Sequence, residues 1–253
     1  MTLATLPLLC VLSLASFPQL SLSQLQAAFT FSRATFYGSP DCDGTPSGAC
    51  GYGEYGRNIN GGDVGAVARL YRNGTGCGAC YQVRCANPQM CREEGVKIVV
   101  TDHGEGDYTD FILSARGFGK LARPNMAAEL MAYGVVDVQY RRISCKYPAY
   151  NMMIKITEHS KFPDYLALII IYQAGKKDIT AVELWQEEHK EWKGMRRAYG
   201  GVWDMASPPK GPINVRFLTV AGDDNHQDWV QLAGAIPSDW KVGVTYDSDT
   251  QLT

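Results

Sequence analysis

Cysteine is confined to one part of this chain. Of eight cysteines, Cys10 lies in an apolar leader, and Cys42, Cys50, Cys77, Cys80, Cys85, Cys91 and Cys145 all precede residue 146, so that residues 146–253 contain none. Such a split predicts a disulfide framework restricted to one domain, followed by a region that folds without covalent staples. The competing reading is a zinc site, because Cys77-x-x-Cys80 followed by Cys85 and Cys91 has ligand-like spacing. The leader favours disulfides: Leu3 to Leu22 is rich in Leu, Ala and Ser, carries no charge, and ends in small residues before Gln24. Residues 1–23 therefore read as a secretory signal, which would deliver the chain to an oxidising compartment. A retained membrane anchor is the alternative, but Pro7 and Pro18 interrupt the run and no basic segment follows it. With seven cysteines left after the leader, one is left over. Asn73-Gly74-Thr75 is a glycosylation acceptor on a loop.

The chain has 253 residues and a formal net charge of −2. It has no basic excess and no interleaved aromatic and arginine pattern, which argues against nucleic acid as a partner. From Phe29 to Lys146 it reads as short strands separated by Gly, Asn and Asp, at Arg33–Tyr37, Gly65–Tyr71, Cys80–Cys85, Val96–Thr101 and Val135–Arg142. Only Ser114–Leu121 and Met126–Met131 look helical. Many short strands with few helices predict an all-β barrel. A proline-containing connector, Lys146 to Tyr150, then marks a seam. Beyond it, strands at Met152–Thr157, Leu166–Tyr172, Ile179–Trp185, Val215–Val220, Asp228–Leu232 and Val242–Tyr246 predict a β-sandwich. The organisation is thus a barrel domain over 29–146, a linker at 147–150 and a sandwich domain over 151–253.

Catalytic signatures are scarce. His103, His159, His189 and His226 have no metal-ligand spacing and read as surface residues; there is no nucleophile elbow, phosphate-cradling loop or HExxH. The stretch Val99–Leu121 carries the most chemistry, since a β-rich run delivers Asp102 to a glycine-containing turn, followed by Glu105, Asp107 and Asp110. Glycoside hydrolysis needs two carboxyl groups astride the scissile bond. Asp102 is a candidate first, whereas Asp107 and Asp110 read as a solvated charge run. The second domain holds Tyr165, Trp185, Trp192, Tyr199, Trp203, Trp229 and Trp240, more aromatic residues than a small sandwich core uses. At least two are expected at the surface, where flat rings stack on the apolar faces of sugars. Lys193, Arg196 and Arg197 beside them would form a solvated face, with contact to acidic sugars as the sharper alternative.

The succession ATFYGSP (34–40), SGACGYGEYG (47–56), CGACYQVRC (77–85), VVTDHG (99–104), PDYLAL (163–168), MRRAYGGVW (195–203) and IPSDW (236–240) resembles the plant expansins, and in detail their expansin-like B group. The resemblance runs collinearly over the whole chain after the leader. It implies a six-stranded double-psi β-barrel followed by an immunoglobulin-like β-sandwich, located outside the cell in the wall. The implied activity is non-hydrolytic binding of cellulose and matrix glycans, with wall loosening. By position it pairs Cys50 with Cys77, Cys80 with Cys145 and Cys85 with Cys91, leaving Cys42. It maps a barrel groove onto Thr35, Tyr37 and Asp102 and an aromatic platform onto Tyr165 and Tyr199, the second usually Trp in the family. One departure matters: the family's His-Phe-Asp triplet, whose aspartate holds a proton-donor position, is here Asp110-Phe111-Ile112. Isoleucine donates no proton, so an enzyme is not expected. Asp110 would reach the same groove from two residues away. No cofactor or metal is expected, no membrane partner after leader removal, and the protein should be a monomer. The alternatives are a weak glycosidase using Asp102, and a defence or signalling protein that keeps the barrel without glycan activity.

Overall fold

The computed structural model describes residues 28–38, 41–106, 109–221 and 226–252; the leader, Cys10 and Asp107 lie outside them. Strands β1 (Thr30–Tyr37), β2 (Val64–Val67), β3 (Cys80–Cys85), β4 (Val96–His103), β5 (Phe111–Ser114) and β6 (Val136–Ile143) close into a six-stranded barrel in the order β1-β5-β2-β4-β3-β6. Alternation sets its inside: Tyr81, Val83, Val96, Ile98, Val100, Phe111, Leu113 and Val138 are buried together in the lumen. Helix α1 (Glu54–Asn58) lies in the β1–β2 connection, and α2 (Ala115–Gly119) and α3 (Ala127–Ala132) in the β5–β6 connection. Ser114 caps α2, its Oγ accepting from Gly117 N at 3.1 Å and donating to Gly62 O at 2.7 Å.

Two barrel segments differ from the sequence reading. The strand expected over Gly65–Tyr71 stops at Val67 and passes into a 3₁₀ turn, Arg69–Gly74, in which Arg72 and Asn73 take positive φ. β5 falls where only an amphipathic lead-in was expected; four residues are too few to show a period.

The remaining strands are β7 (Met153–Ile156), β8 (Tyr165–Ile171), β9 (Asp178–Gln186), β10 (Glu191–Gly194), β11 (Arg196–Tyr199), β12 (Val202–Ala206), β13 (Ile213–Val220), β14 (Gln227–Ile236) and β15 (Thr245–Asp247). They form a sheet β10-β9-β13-β14 and a sheet β11-β12-β8-β7-β15. Ile154, Ile156, Leu166, Leu168, Val182, Leu184, Val215 and Phe217 fill the space between them, joined by Trp203 and Trp240. The sequence reading has no strand at β10, β11 or β12: charged residues crowd β10 and β11, and β12, buried at four of its five positions, shows no period-two alternation. On the outer face of the first sheet the Arg216 guanidinium lies between the rings of Trp192 and Trp229, at 4.6 and 4.3 Å, and pairs with Glu183.

The two halves are not merely tethered. Ala167, Ile169, Ile171 and Val202, on the outer face of the second sheet, belong to the same buried cluster as barrel-side Cys50 and Tyr52. Tyr147 and Tyr150 of the connector pack on Tyr172, the latter stacked at 4.2 Å. Arg197 is drawn into this seam rather than solvated, donating to Gly74 O, Gly200 O and Ile179 O. Asp178 accepts from Arg72 at 2.8 Å and Arg142 at 3.0 Å, both from the barrel. Gly74 and Gly200 meet backbone to backbone: a Cβ on Gly74 would lie 2.2 Å from Gly200 O.

Candidate functional site

Asp102 owes its position to a bulge. In β4 the residues Val96, Ile98 and Val100 point inward, and unbroken alternation would send Asp102 after them. Gly65 pairs with Val100 but Ala66 pairs with Asp102, so Thr101 is an extra residue and Asp102 turns to the outer face. There it joins a cross-strand row, Thr35 opposite Ile112, Ile112 opposite Ala66, and Ala66 opposite Asp102. The row is three strand spacings long, roughly 14 Å. The row lies on the outer face of the barrel, with Tyr37 two residues beyond Thr35 on the same face.

The carboxylate is held from one side. Oδ1 accepts from Ala49 N at 2.6 Å and His103 N at 2.8 Å, and Oδ2 has no partner among the described residues. Ala49 belongs to the loop 47–53, which approaches β4 so closely that a Cβ on Gly48 would meet Thr101 O at 2.6 Å. The Cys50–Cys77 disulfide fixes this loop. Cys80–Cys145 and Cys85–Cys91 are likewise bonded, so Cys77-x-x-Cys80 is not a ligand set, and Cys42 is free and exposed.

On its other side the same loop packs against Tyr199, one of the two rings expected to form a stacking platform. A Cβ on Gly51 would lie 2.8 Å from the Tyr199 ring. Tyr199 is 45% exposed, and Tyr165 shares its sheet face, half-buried. Tyr165 Oη donates to Asp204 Oδ2 at 2.7 Å, and Arg196 grips Asp204 through Nε at 2.9 Å and Nη2 at 2.5 Å. The hydrogen bond to Asp204 raises the Tyr165 hydroxyl pKa, and Arg196 lowers that of Asp204.

Several expected site residues behave differently from a free binding group. Thr35 Oγ1 donates to Gly134 O at 2.7 Å, so its hydroxyl is left with acceptor capacity only. Tyr37 Oη is buried without a partner among the described residues, and burial, then the charges of Asp102 and Asp43, raise its pKa. Asp110 is neither solvated nor open to the groove. Its Oδ1 takes Arg69 Nε at 2.9 Å, and its Oδ2 takes Arg69 Nη2 and Ser32 Oγ, each at 2.6 Å. The bond from Arg69 holds its pKa below the ordinary carboxylate range. What reaches solvent there is Arg69, 78% exposed at its side chain. His103, read as a surface residue, is exposed beside Asp102, and Tyr71, which sequence reasoning passed over as a site residue, packs its ring on that imidazole at 4.6 Å while its Oη donates to Ala49 O at 3.3 Å. Only the adjacency of His103 to Asp102 hinted at it.

Compared with known proteins, residues 152–237 match the Expansin C-terminal domain model and residues 63–140 a model described as Lytic transglycolase. The chain is 54% identical to Expansin-like B1 of Arabidopsis thaliana over 226 residues, 89% of this chain and 90% of that one. The chain belongs to the expansin family. Expansin-like B1 of Oryza sativa subsp. japonica is 47% identical over 96% of this chain and 94% of its own. Among solved structures, an expansin of Clavibacter michiganensis superposes with a TM-score of 0.65 over 88% of this chain and 98% of that one. At 18% identity this relation shows the expansin fold alone; a mutant of that protein has been crystallised with cellohexaose.

Proposed function

We propose that this expansin-like protein is secreted to the plant cell wall, where it binds cellulose or matrix glycans along one continuous face without cleaving them. The observation that carries the reading is the loop 47–53, which orients Asp102 on one side and supports Tyr199 on the other. A glycan lying across the loop would give a hydroxyl to Asp102 Oδ2, pass over Thr35 and Tyr37 in the groove, and stack on Tyr199 and Tyr165. The crystallised complex of the bacterial expansin with cellohexaose supports a β-glucan as ligand. Because the seam is packed, the two surfaces are pre-oriented and bind as one rather than through a flexible tether. An aliphatic side chain, Ile112, occupies the middle of the groove floor where the family's acid would stand. Asp110 cannot replace it: a general acid must hold a proton near neutral pH, and Arg69 shifts this carboxyl the opposite way. Asn73 is exposed and available as a glycan acceptor, as a secreted protein would use it.

The test is retention on insoluble cellulose and on matrix glycans, comparing the wild type with Asp102→Asn and with the pair Tyr165→Ala and Tyr199→Ala. Removing two stacking rings should weaken retention about tenfold, the equivalent of ~1.4 kcal/mol. Asp102→Asn should weaken it less and release no reducing ends in either form. Failure of the wild type to bind any wall glycan, or reducing-end release abolished by Asp102→Asn, would overturn the reading.

A further inference from the structure

The wall of the barrel away from the groove carries a second arrangement. On the outer faces of β4, β3 and β6, Lys97 pairs with Gln82 and Gln82 with Arg141, while Arg84 pairs with Gln139. The two arginines are held alike. Gln139 Oε1 accepts from Arg84 Nε at 2.9 Å, and Gln82 Oε1 accepts from Arg141 Nε at 2.8 Å. Both guanidinium planes lie over the Phe29 ring, at 3.8 and 4.7 Å. Amide oxygens and a phenyl face fix each plane without neutralising it, and the Nη ends make no hydrogen bond among the described residues. Lys97 and Lys146 line a hollow of about 280 Å³ beside Arg141. None of these four cations is ion-paired among the described residues, in contrast to Arg69, Arg196 and Arg216. The neighbouring acids stand at the margins. Gln82 Nε2 donates to the backbone oxygen of Glu94 rather than its carboxylate, Glu93 shares a hollow with Arg84, Arg92 and Arg123 without an ion pair to any of them among the described residues, and Asp137 stands opposite Arg33 of β1.

We infer that this wall is a binding site for a carboxylate-bearing polysaccharide, a polymer of uronic acids, separate from the glycan face. A planar guanidinium with its Nε already engaged presents two parallel N–H groups, the shape that accepts both oxygens of a carboxylate. Lys97 and Arg141 lie two strand spacings apart, roughly 10 Å, with neutral Gln82 between them, and Arg84 lies two residues along β3 from Gln82, a set of separated charges that suits a ligand carrying one charge on each of several successive rings. Phe31, opposite Gln139 on the same face, is 73% exposed. It supplies an apolar surface for a pyranose ring that a bare phosphate or sulfate ion would leave unused. The chain's net charge of −2 gives no general attraction for polyanions, so binding would depend on this local set.

The experiment compares retention of the full chain on polygalacturonate, on its fully methyl-esterified form and on cellulose. The wild type should bind polygalacturonate at low salt, elute as salt rises, and ignore the esterified polymer, which keeps the rings and loses the charge. Arg84→Gln with Arg141→Gln should weaken polygalacturonate binding at least about tenfold, ~1.4 kcal/mol, and leave cellulose retention unchanged. Should that pair fail to fold, Lys97→Gln with Phe31→Ala alters two exposed side chains and should show the same selective loss. Equal retention on both pectic forms, displacement by millimolar inorganic phosphate at constant ionic strength, or full binding by both variant pairs would overturn the inference. The pair Tyr165→Ala and Tyr199→Ala should leave polygalacturonate binding intact, so failure here is distinguishable from failure of the cellulose reading.

Discussion

The barrel and the sandwich solve different problems with different means. The barrel gives much of its length to connections: the loop 47–53, the 3₁₀ turn at 69–74 and the glycine-rich run 74–78 all present side chains or backbone to the groove or the seam. Irregular backbone of this kind has few repeating hydrogen bonds of its own, and all three disulfides lie in this half, with Cys50–Cys77 joining two of those segments directly. The sandwich is mostly strand, with a core of Ile, Leu, Val and Phe between its sheets, and it holds together without a staple. Covalent restraint therefore marks where the molecule keeps positioned loops. Charge follows a related division. Where arginines flank the proposed glycan face they are ion-paired with buried Asp110 and Asp204, whereas on the far wall glutamines orient them and leave the charge unpaired among the described residues.

The sharpest way to break the comparison is to remove a staple. Cys80 and Cys145 enclose the longest loop, a separation of 65 residues, and replacing both with Ala should lower stability by about 4 kcal/mol in a urea titration. A negligible change would mean that the barrel is as self-sufficient as the sandwich. Next in size, Ile169→Ala opens a hole in the buried layer between the halves and should cost about 2–4 kcal/mol. Unfolding should remain one transition when followed by barrel and sandwich probes together; two separated transitions would show that the halves are independent. Gly200→Ala should cost about 1–3 kcal/mol and weaken glycan retention, because its Cβ would stand 2.3 Å from Ala49 O and push on the loop behind Asp102. The smallest effect is on acid stability. Asp110 and Asp204 are both held below the ordinary carboxylate pKa by their arginines, so each contributes stability that is present above about pH 4 and fades as pH falls through its lowered value. Asp110→Asn and Asp204→Asn should each flatten the loss of stability measured below about pH 4.

Much of this organisation is legible in the chain itself. The cysteine distribution separates a stapled half from an unstapled one, period-two alternation marks β3, β4, β6 and most sandwich strands, and collinear motifs identify the family. Those features depend on residues close in sequence or on order along the chain. Three others do not. The bulge at Thr101 depends on the register between β2 and β4, and without it Asp102 would point into the lumen. The fate of Asp110 depends on Arg69 and Ser32, which a local count of acidic residues does not contain. The opposite fates of Arg69 and Arg141 depend on which neighbour the sheet sets beside each, a carboxylate or an amide. Sequence by itself determined many of the strands, the family and the staples' domain, because these follow from local preference and shared order. Only the tertiary structure decided which carboxylate keeps a free oxygen and which cations stand without an ion pair, because both are set by partners many residues away in the chain.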